Sequence, residues 1–203
     1  MKCNFTYSHY EEILSLFSSE GYHTVSYNSF VIGQSHQLIL RHDIDFLTPS
    51  HLKMAAIEKR YGFQSVNHFL LTSEIYNVQS IALQKIISRL KEMGHLIGLH
   101  FDPVAIIPQK NLQETQQQFS ELIKIAEQLI GKIDSYSFHR PAQNGSYLDY
   151  LPKNLSFIVP KCAYNDEFFK DIVYRSDSRR EWRNKCICNE IQALKGKSIQ
   201  LLI

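Results

Sequence analysis

The stretch Leu38-Ile39-Leu40-Arg41-His42-Asp43-Ile44-Asp45 starts apolar and ends in two carboxylates. Leu38 to Leu40 predict a strand covered on both faces, since a short apolar run bounded by polar residues suits a buried parallel strand. A core has no use for the closing Asp-x-Asp. Side chains two apart on a strand share a face, so an extended chain would project Asp43 and Asp45 side by side into one pocket. Carboxylates held together repel unless a cation or a shared proton relieves them. The alternative is that Asp45 begins a turn and caps the next helix.

The surrounding chain supplies the context. Upstream, Ser8 with Glu11 reads as a capping box, followed by Tyr10, Ile13, Leu14 and Phe17 on one helical face and Gly21 as the stop. Downstream, Thr48-Pro49 predicts a helix start with Thr48 as cap. Leu52, Ala55, Ala56 and the stem of Lys59 would face inward. Ser65 to Leu71 reads as a strand. Ser80 opens a helix whose Leu83, Ile86, Ile87 and Leu90 follow the helical template. His95 to His100 forms the next strand, leaving through Phe101-Asp102-Pro103. Asn111 caps a long helix with a stripe of Phe119, Leu122, Ile123, Ala126 and Ile130. Ser135 to His139 is a further strand, ending at Arg140-Pro141. Leu155 to Val159, Ile172 to Tyr174 and Ile199 to Ile203 are later strands. Strand and helix alternate, which predicts an α/β fold on a parallel sheet, with residues 1–203 as one domain.

Ligand-type side chains cluster where three of these strands end: Asp43 and Asp45, His100 and Asp102, His139 and Arg140. The carboxyl edge of a parallel sheet or barrel is where such folds place their sites. Asp and His together suit zinc or another divalent transition metal. Two aspartates could divide the work, one on the metal and one as general base, with an arginine steadying the base.

Composition narrows the class. With 203 residues, 44% hydrophobic and 21% charged, the chain can bury a sizeable core. A net charge of +2 argues against a nucleic-acid or anionic-membrane surface. No run approaches the length of a transmembrane helix, and the first residues lack a signal-peptide core. The four cysteines, Cys3, Cys162, Cys186 and Cys188, suggest no disulfide framework, and Cys186-Ile187-Cys188 is tighter than the usual zinc spacing. They read as reduced thiols of a cytoplasmic protein. The 11 Tyr and 12 Phe could line a sugar site, but aromatic residues are more often core.

Leu40-Arg41-His42-Asp43-Ile44-Asp45, Gly94-His95-Leu96-Ile97-Gly98-Leu99-His100 and Phe138-His139-Arg140-Pro141 resemble, in order, motifs of the NodB-type polysaccharide deacetylases, the family-four carbohydrate esterases. Within them the chain looks like deacetylase-like proteins found with bacterial surface-polysaccharide genes. The resemblance implies a distorted (β/α) barrel of fewer than eight strands. It also implies metal-dependent removal of an acetyl group, N-acetyl before O-acetyl, from a carbohydrate. The divalent metal would be zinc, or else cobalt, nickel or manganese. Carried over by position, Asp43 resembles the catalytic base, Asp45 and His100 metal ligands, and Arg140 the arginine that orients the base. Asp177 and Trp182 resemble the residues that shape the substrate pocket.

The sequence departs from the family at three points. Ile44 splits the usual Asp-Asp pair. Val104 stands where the second metal histidine would be, so a third ligand must come from elsewhere. His139 is the expected one, because it ends a neighbouring strand, and Asp102 is the alternative. The family also closes on a Leu-x-His strand whose histidine is the general acid. This sequence stops at Gln200-Leu201-Leu202-Ile203, so the expectation is a domain without that final motif. The other reading is a catalytically impaired module that binds glycan. Several polar residues have ordinary explanations: His42, His68 and His95 as structural residues, Asp102 as an Asp-Pro turn, Asp177 as a loop residue, and Arg175 with Arg179-Arg180 as a solvated face.

Overall fold

The structure is a computed structural model and describes residues 3–46, 49–103, 112–140, 160–182 and 185–203. The expected strand Leu155 to Val159, the caps Thr48 and Asn111, and Val104 lie outside the described residues.

In chain order the elements are α1 (Tyr7–Ser19), β1 (His23–Thr24), β2 (Gln37–Ile44), α2 (Ser50–Arg60), β3 (Ser65–Leu70), α3 (Ile81–Glu92) and β4 (Leu96–Phe101). They continue with α4 (Leu112–Ile130), β5 (Ser135–Phe138), β6 (Lys161–Cys162), α5 (Asp166–Phe169), β7 (Val173–Ser176) and β8 (Ile199–Leu202). Short 3₁₀ turns occupy Ser178–Arg180 and Ile187–Asn189. The strands form one sheet in the order β6-β5-β4-β3-β2-β8-β7, with β1 also on β2, and every pairing is parallel.

The sheet curls into a distorted (β/α) barrel. Arg41 on β2 donates from Nη2 to the Tyr164 hydroxyl just past β6 at 3.1 Å, although three strands lie between β2 and β6. Gln200 on β8 donates to the carbonyls of Ala163 and Phe168 at 3.2 and 2.7 Å. A flat sheet could not make these contacts.

Alternation sorts the side chains. Even-numbered residues of β2 (Leu38, Leu40, Ile44) meet the helices. Leu38 and Leu40 pack with Ile13, Leu14 and Phe17 of α1 and Ile57 of α2. Leu83, Ile87 and Leu90 of α3 join Phe119, Ile123, Ala126 and Ile130 of α4 over Ile97, Leu99 and Tyr136. Each of the Leu, Ile and Phe side chains among these, fully buried, contributes about 1.5–3 kcal/mol of transfer free energy. Odd-numbered β2 residues turn inward: Ile39 packs with Val66, Tyr27 and Phe168, and Arg41 and Asp43 face the barrel interior.

Some local expectations change. Thr6, not Ser8, caps α1, its hydroxyl accepting from the His9 backbone N–H. On α2, Ala56 and Lys59 are exposed, while Ile57 and Glu58 are buried. Glu58 is drawn inward by partners: the Tyr10 hydroxyl at 2.7 Å, His42 Nε2 at 2.8 Å and His95 Nδ1 at 3.3 Å. Pro49 stands at the cap of α2 with no side-chain cap bond, so Asp45 is not spent on the helix.

Candidate active site

The site begins with Arg41 and Asp43, which share the inner face of β2 because they are two residues apart. The guanidinium meets the carboxylate through two parallel bonds, Nε to Oδ1 at 2.9 Å and Nη2 to Oδ2 at 2.7 Å. Arg41 is 0% exposed. It stays charged because Asp43 neutralises it, while the face of Tyr164 lies 4.8 Å away and Gln200 Oε1 3.5 Å away. Burial by itself would raise the Asp43 carboxyl, but the Arg41 charge, aided by the His68 side chain, holds it well below the usual carboxylate range.

The arginine on Asp43 is therefore Arg41, not Arg140. Arg140 adopts a left-handed backbone (φ 48°) and its guanidinium pairs with Asp102. His139 and Arg140 lie just past β5, and the left-handed turn at Arg140 carries its guanidinium to Asp102 while His139 meets Asp45. Asp102, the alternative ligand, is engaged by Arg140.

Asp45, His100 and His139 converge from the ends of β2, β4 and β5. His100 Nε2 lies 3.4 Å from Asp45 Oδ1, His139 Nδ1 lies 3.2 Å from the same oxygen, and the two nitrogens are 3.1 Å apart. Tetrahedral coordination with bonds of about 2.0–2.1 Å requires donor separations of about 3.3 Å. A hydrogen bond between the imidazoles would satisfy only one edge, and Asp45 Oδ1 is buried with no hydrogen bond of its own. The donor set and the orphaned oxygen both fit a divalent cation.

Neighbouring strands orient these ligands. Ser137 lies beside His100 in the β4–β5 register. Its Oγ is 2.7 Å from His100 Nδ1 and donates to Asp43 Oδ1 at 3.0 Å. With that hydroxyl proton on Asp43, Ser137 accepts from Nδ1–H, and His100 Nε2 presents its lone pair to Asp45 and His139. His139 is placed by its backbone N–H, which donates to the Phe101 carbonyl at 2.7 Å. His68, paired in register with Asp43, lies under the carboxylate, with Nδ1 3.4 Å from Oδ1 and Nε2 2.9 Å from Ser135 Oγ. Burial pushes the His68 imidazole down to about 4, so it is neutral near pH 7.

Asp177 and Trp182 lie along a cavity of about 730 Å³ that is also lined by Phe5, Tyr7, His42, Asp43, Phe46, His51 and Ile203. Asp43 links this cavity to the carboxylate–imidazole group, since its Oδ2 lies 3.9 Å from His100 Nδ1. Burial raises the Asp177 carboxyl. His42 turns away, between Glu58 and the Ile203 carbonyl.

Sequence reasoning missed Arg41, Ser137 and Tyr164. The alternation that paired Asp43 with Asp45 applied equally to Arg41. Ser137 and Tyr164 are visible only once strand order and curvature are known.

No family model and no curated protein matches the chain. Solved structures do. Peptidoglycan deacetylase PdaC from Bacillus subtilis (mutant D285S) aligns at 16% identity and TM-score 0.49, covering 84% of this chain and 76% of its own. A family 4 carbohydrate esterase from Bacillus anthracis aligns at 12% and 0.46, covering 99% and 80%. A family 4 acetyl xylan esterase from Clostridium thermocellum, in complex with a cobalt ion, aligns at 12% and 0.40, covering 81% and 72%. These are likenesses of chain path at low identity.

Proposed function

We propose that this protein is a metal-dependent hydrolase that removes an acetyl group, N-acetyl in the first instance, from a sugar in surface-glycan or polysaccharide metabolism. The observation that carries the reading is the Asp45–His100–His139 triangle standing beside an ionised Asp43 clamped by Arg41. A divalent cation held there, zinc by the donor chemistry, would supply Lewis acidity toward an acyl oxygen and acidify a water. Asp43 accepts the proton of the attacking water at a carboxylate oxygen. Arg41 fixes the orientation of that carboxylate and keeps it ionised. The proton Asp43 takes up balances the one the departing amine gains. In the adjoining cavity, the aromatic faces of Phe46 and Trp182 suit the apolar side of a sugar ring, and Asp177 suits its hydroxyls. The motif resemblance supports a carbohydrate as the partner. We place the chain in the cytoplasm, where its four free cysteines would stay reduced. Among the described residues no helix is long and apolar enough to cross a membrane.

Both Asp43 oxygens already accept hydrogen bonds, Oδ1 from Arg41 and the Ser137 hydroxyl and Oδ2 from Arg41, which favours a second reading in which Asp43 is a poor acceptor of a further proton. On that reading the cavity binds glycan and turnover is impaired. Acetate release from N-acetylated and O-acetylated sugars separates the two, using protein loaded with Zn²⁺ or Co²⁺ and an Asp45→Ala control. Release that depends on Asp45 supports the hydrolase. Sugar binding without release supports the module. Absence of both removes the proposal.

A further inference from the structure

A second cluster of metal-type donors lies apart from the site above and shares no residue with it. Cys3 precedes α1, His9 sits on α1, and Cys186 and Cys188 belong to the turn around Ile187–Asn189. These positions are 177 and 185 residues apart in the chain across the two closest contacts. Cys3 Sγ lies 3.4 Å from Cys188 Sγ, His9 Nε2 lies 3.3 Å from Cys186 Sγ, and all four donor atoms fall within 4.8 Å of one another. All four cysteines of the chain are free, so no disulfide accounts for the grouping.

The surroundings are those of a built centre. His9 Nδ1 is 2.8 Å from Glu12 Oε2. Donation of Nδ1–H to that carboxylate leaves the Nε2 lone pair facing the sulfurs, the arrangement that orients a ligating histidine. The Asn189 side-chain N–H₂ donates to Cys3 Sγ at 3.4 Å. His9, Cys186 and Ile187 are buried. A tetrahedral zinc with Zn–S of about 2.3 Å and Zn–N of about 2.0–2.1 Å sets its donors about 3.5–3.8 Å apart, within the spread seen here. The short Cys-x-Cys spacing is accommodated because Cys186 is extended at the start of the 3₁₀ turn and Cys188 lies inside it, so both sulfurs reach one point.

We propose that Cys3, His9, Cys186 and Cys188 bind one Zn²⁺ as a closed structural centre. Three thiols and one neutral imidazole leave no open position for water, and binding releases the thiol protons. The centre ties the segment before α1 to the segment leading into β8. Phe5, Tyr7 and His9 on one side and Trp182 on the other line the same cavity, so the cation sets the distance between two of its walls.

The test is a Co²⁺ titration of the reduced full-length chain. We expect a thiolate-to-cobalt charge-transfer band that is bleached by Zn²⁺ and that, in D45A/H100A, saturates at one equivalent per chain. The band persists in D45A/H100A, which removes the other candidate centre, and is lost in C186S and C188S. In wild-type protein, Zn²⁺ should slow thiol-reagent labelling of Cys3, Cys186 and Cys188 but not of Cys162. This second measurement needs no variant to fold. A wild-type chain without the band, a band unchanged in C186S, labelling indifferent to Zn²⁺, or a Cys3–Cys188 disulfide in protein kept under reductant would each overturn the assignment.

Discussion

Arg41 and Asp43 stand two residues apart on one strand and are joined through one edge of the guanidinium, Nε and Nη2, and both carboxylate oxygens, at 2.9 and 2.7 Å. Breaking a buried pair by removing one partner strands the other charge and costs about 3–5 kcal/mol. Arg41→Ala should lower unfolding free energy by about that amount. Arg140→Ala, which loses an ion pair made by a half-exposed side chain, should cost much less. Denaturant melts of the two variants check this, and equal losses would contradict the assignment of Arg41 as the partner of Asp43.

The Ser137 hydroxyl orients His100 from behind. Removing such an outer partner lowers metal affinity about 10–100-fold. Ser137→Ala should therefore weaken Zn²⁺ at the Asp45–His100–His139 centre by about that factor, while Asp45→Ala and His139→Ala abolish it there. Competition titration in a C186S background, which silences the cysteine cluster, gives the values.

Stability should fall on both sides of neutral pH through Glu58 and His42. Burial opposes ionisation of Glu58, yet His42 and His95 beside it bring its carboxyl from 4.5 down to about 2. A depressed carboxyl stabilises above its unfolded value, and that contribution fades as pH falls from about 4.5 through 2. Burial disfavours charge on His42 as well, but Glu58 and the Ile203 carbonyl raise the imidazole above 6.5. Its contribution is full below 6.5 and is lost as pH rises through the raised value. Thermal melts across pH should show both limbs in wild type, whereas Glu58→Gln should lose the alkaline limb and keep only the part of the acid limb that Asp43 contributes.

Gly98 faces His68 across the β3–β4 pair, and a Cβ there would collide with the imidazole. Gly98→Ala should destabilise by about 1–3 kcal/mol through overpacking. The cost should be smaller in a His68→Ala background, so the double-mutant cycle should be non-additive. Additive losses would place the strain elsewhere.

Much of this was legible in the sequence, because its signal was local. Leu38 to Leu40 read correctly as a buried strand, and β3, β4, β5 and β8 followed from apolar runs between turn residues. Asp45, His100 and His139 were readable as a group because a parallel sheet brings its carboxyl ends to one edge. The choice of arginine failed because the motif comparison favoured Arg140, while the pleat of β2 itself pointed to Arg41. The register of α2 was misjudged because Glu58 looks like a surface residue until Tyr10, His42 and His95 surround it. Cys3 and His9 gave no hint of Cys186 and Cys188, since only the pairing of β8 beside β2 brings the two ends of the chain together.

The alternation along β2 works like a reading frame. Leu38, Leu40 and Ile44 hold the jacket of helices, whereas Arg41 and Asp43 hold the chemistry. Exchanging inward residues can retune the site without disturbing the jacket. Inserting or deleting one residue upstream in the strand would exchange the two sets, turning the charged pair into the helices and leucines into the lumen. In this strand, changes of length are therefore far more damaging than changes of identity.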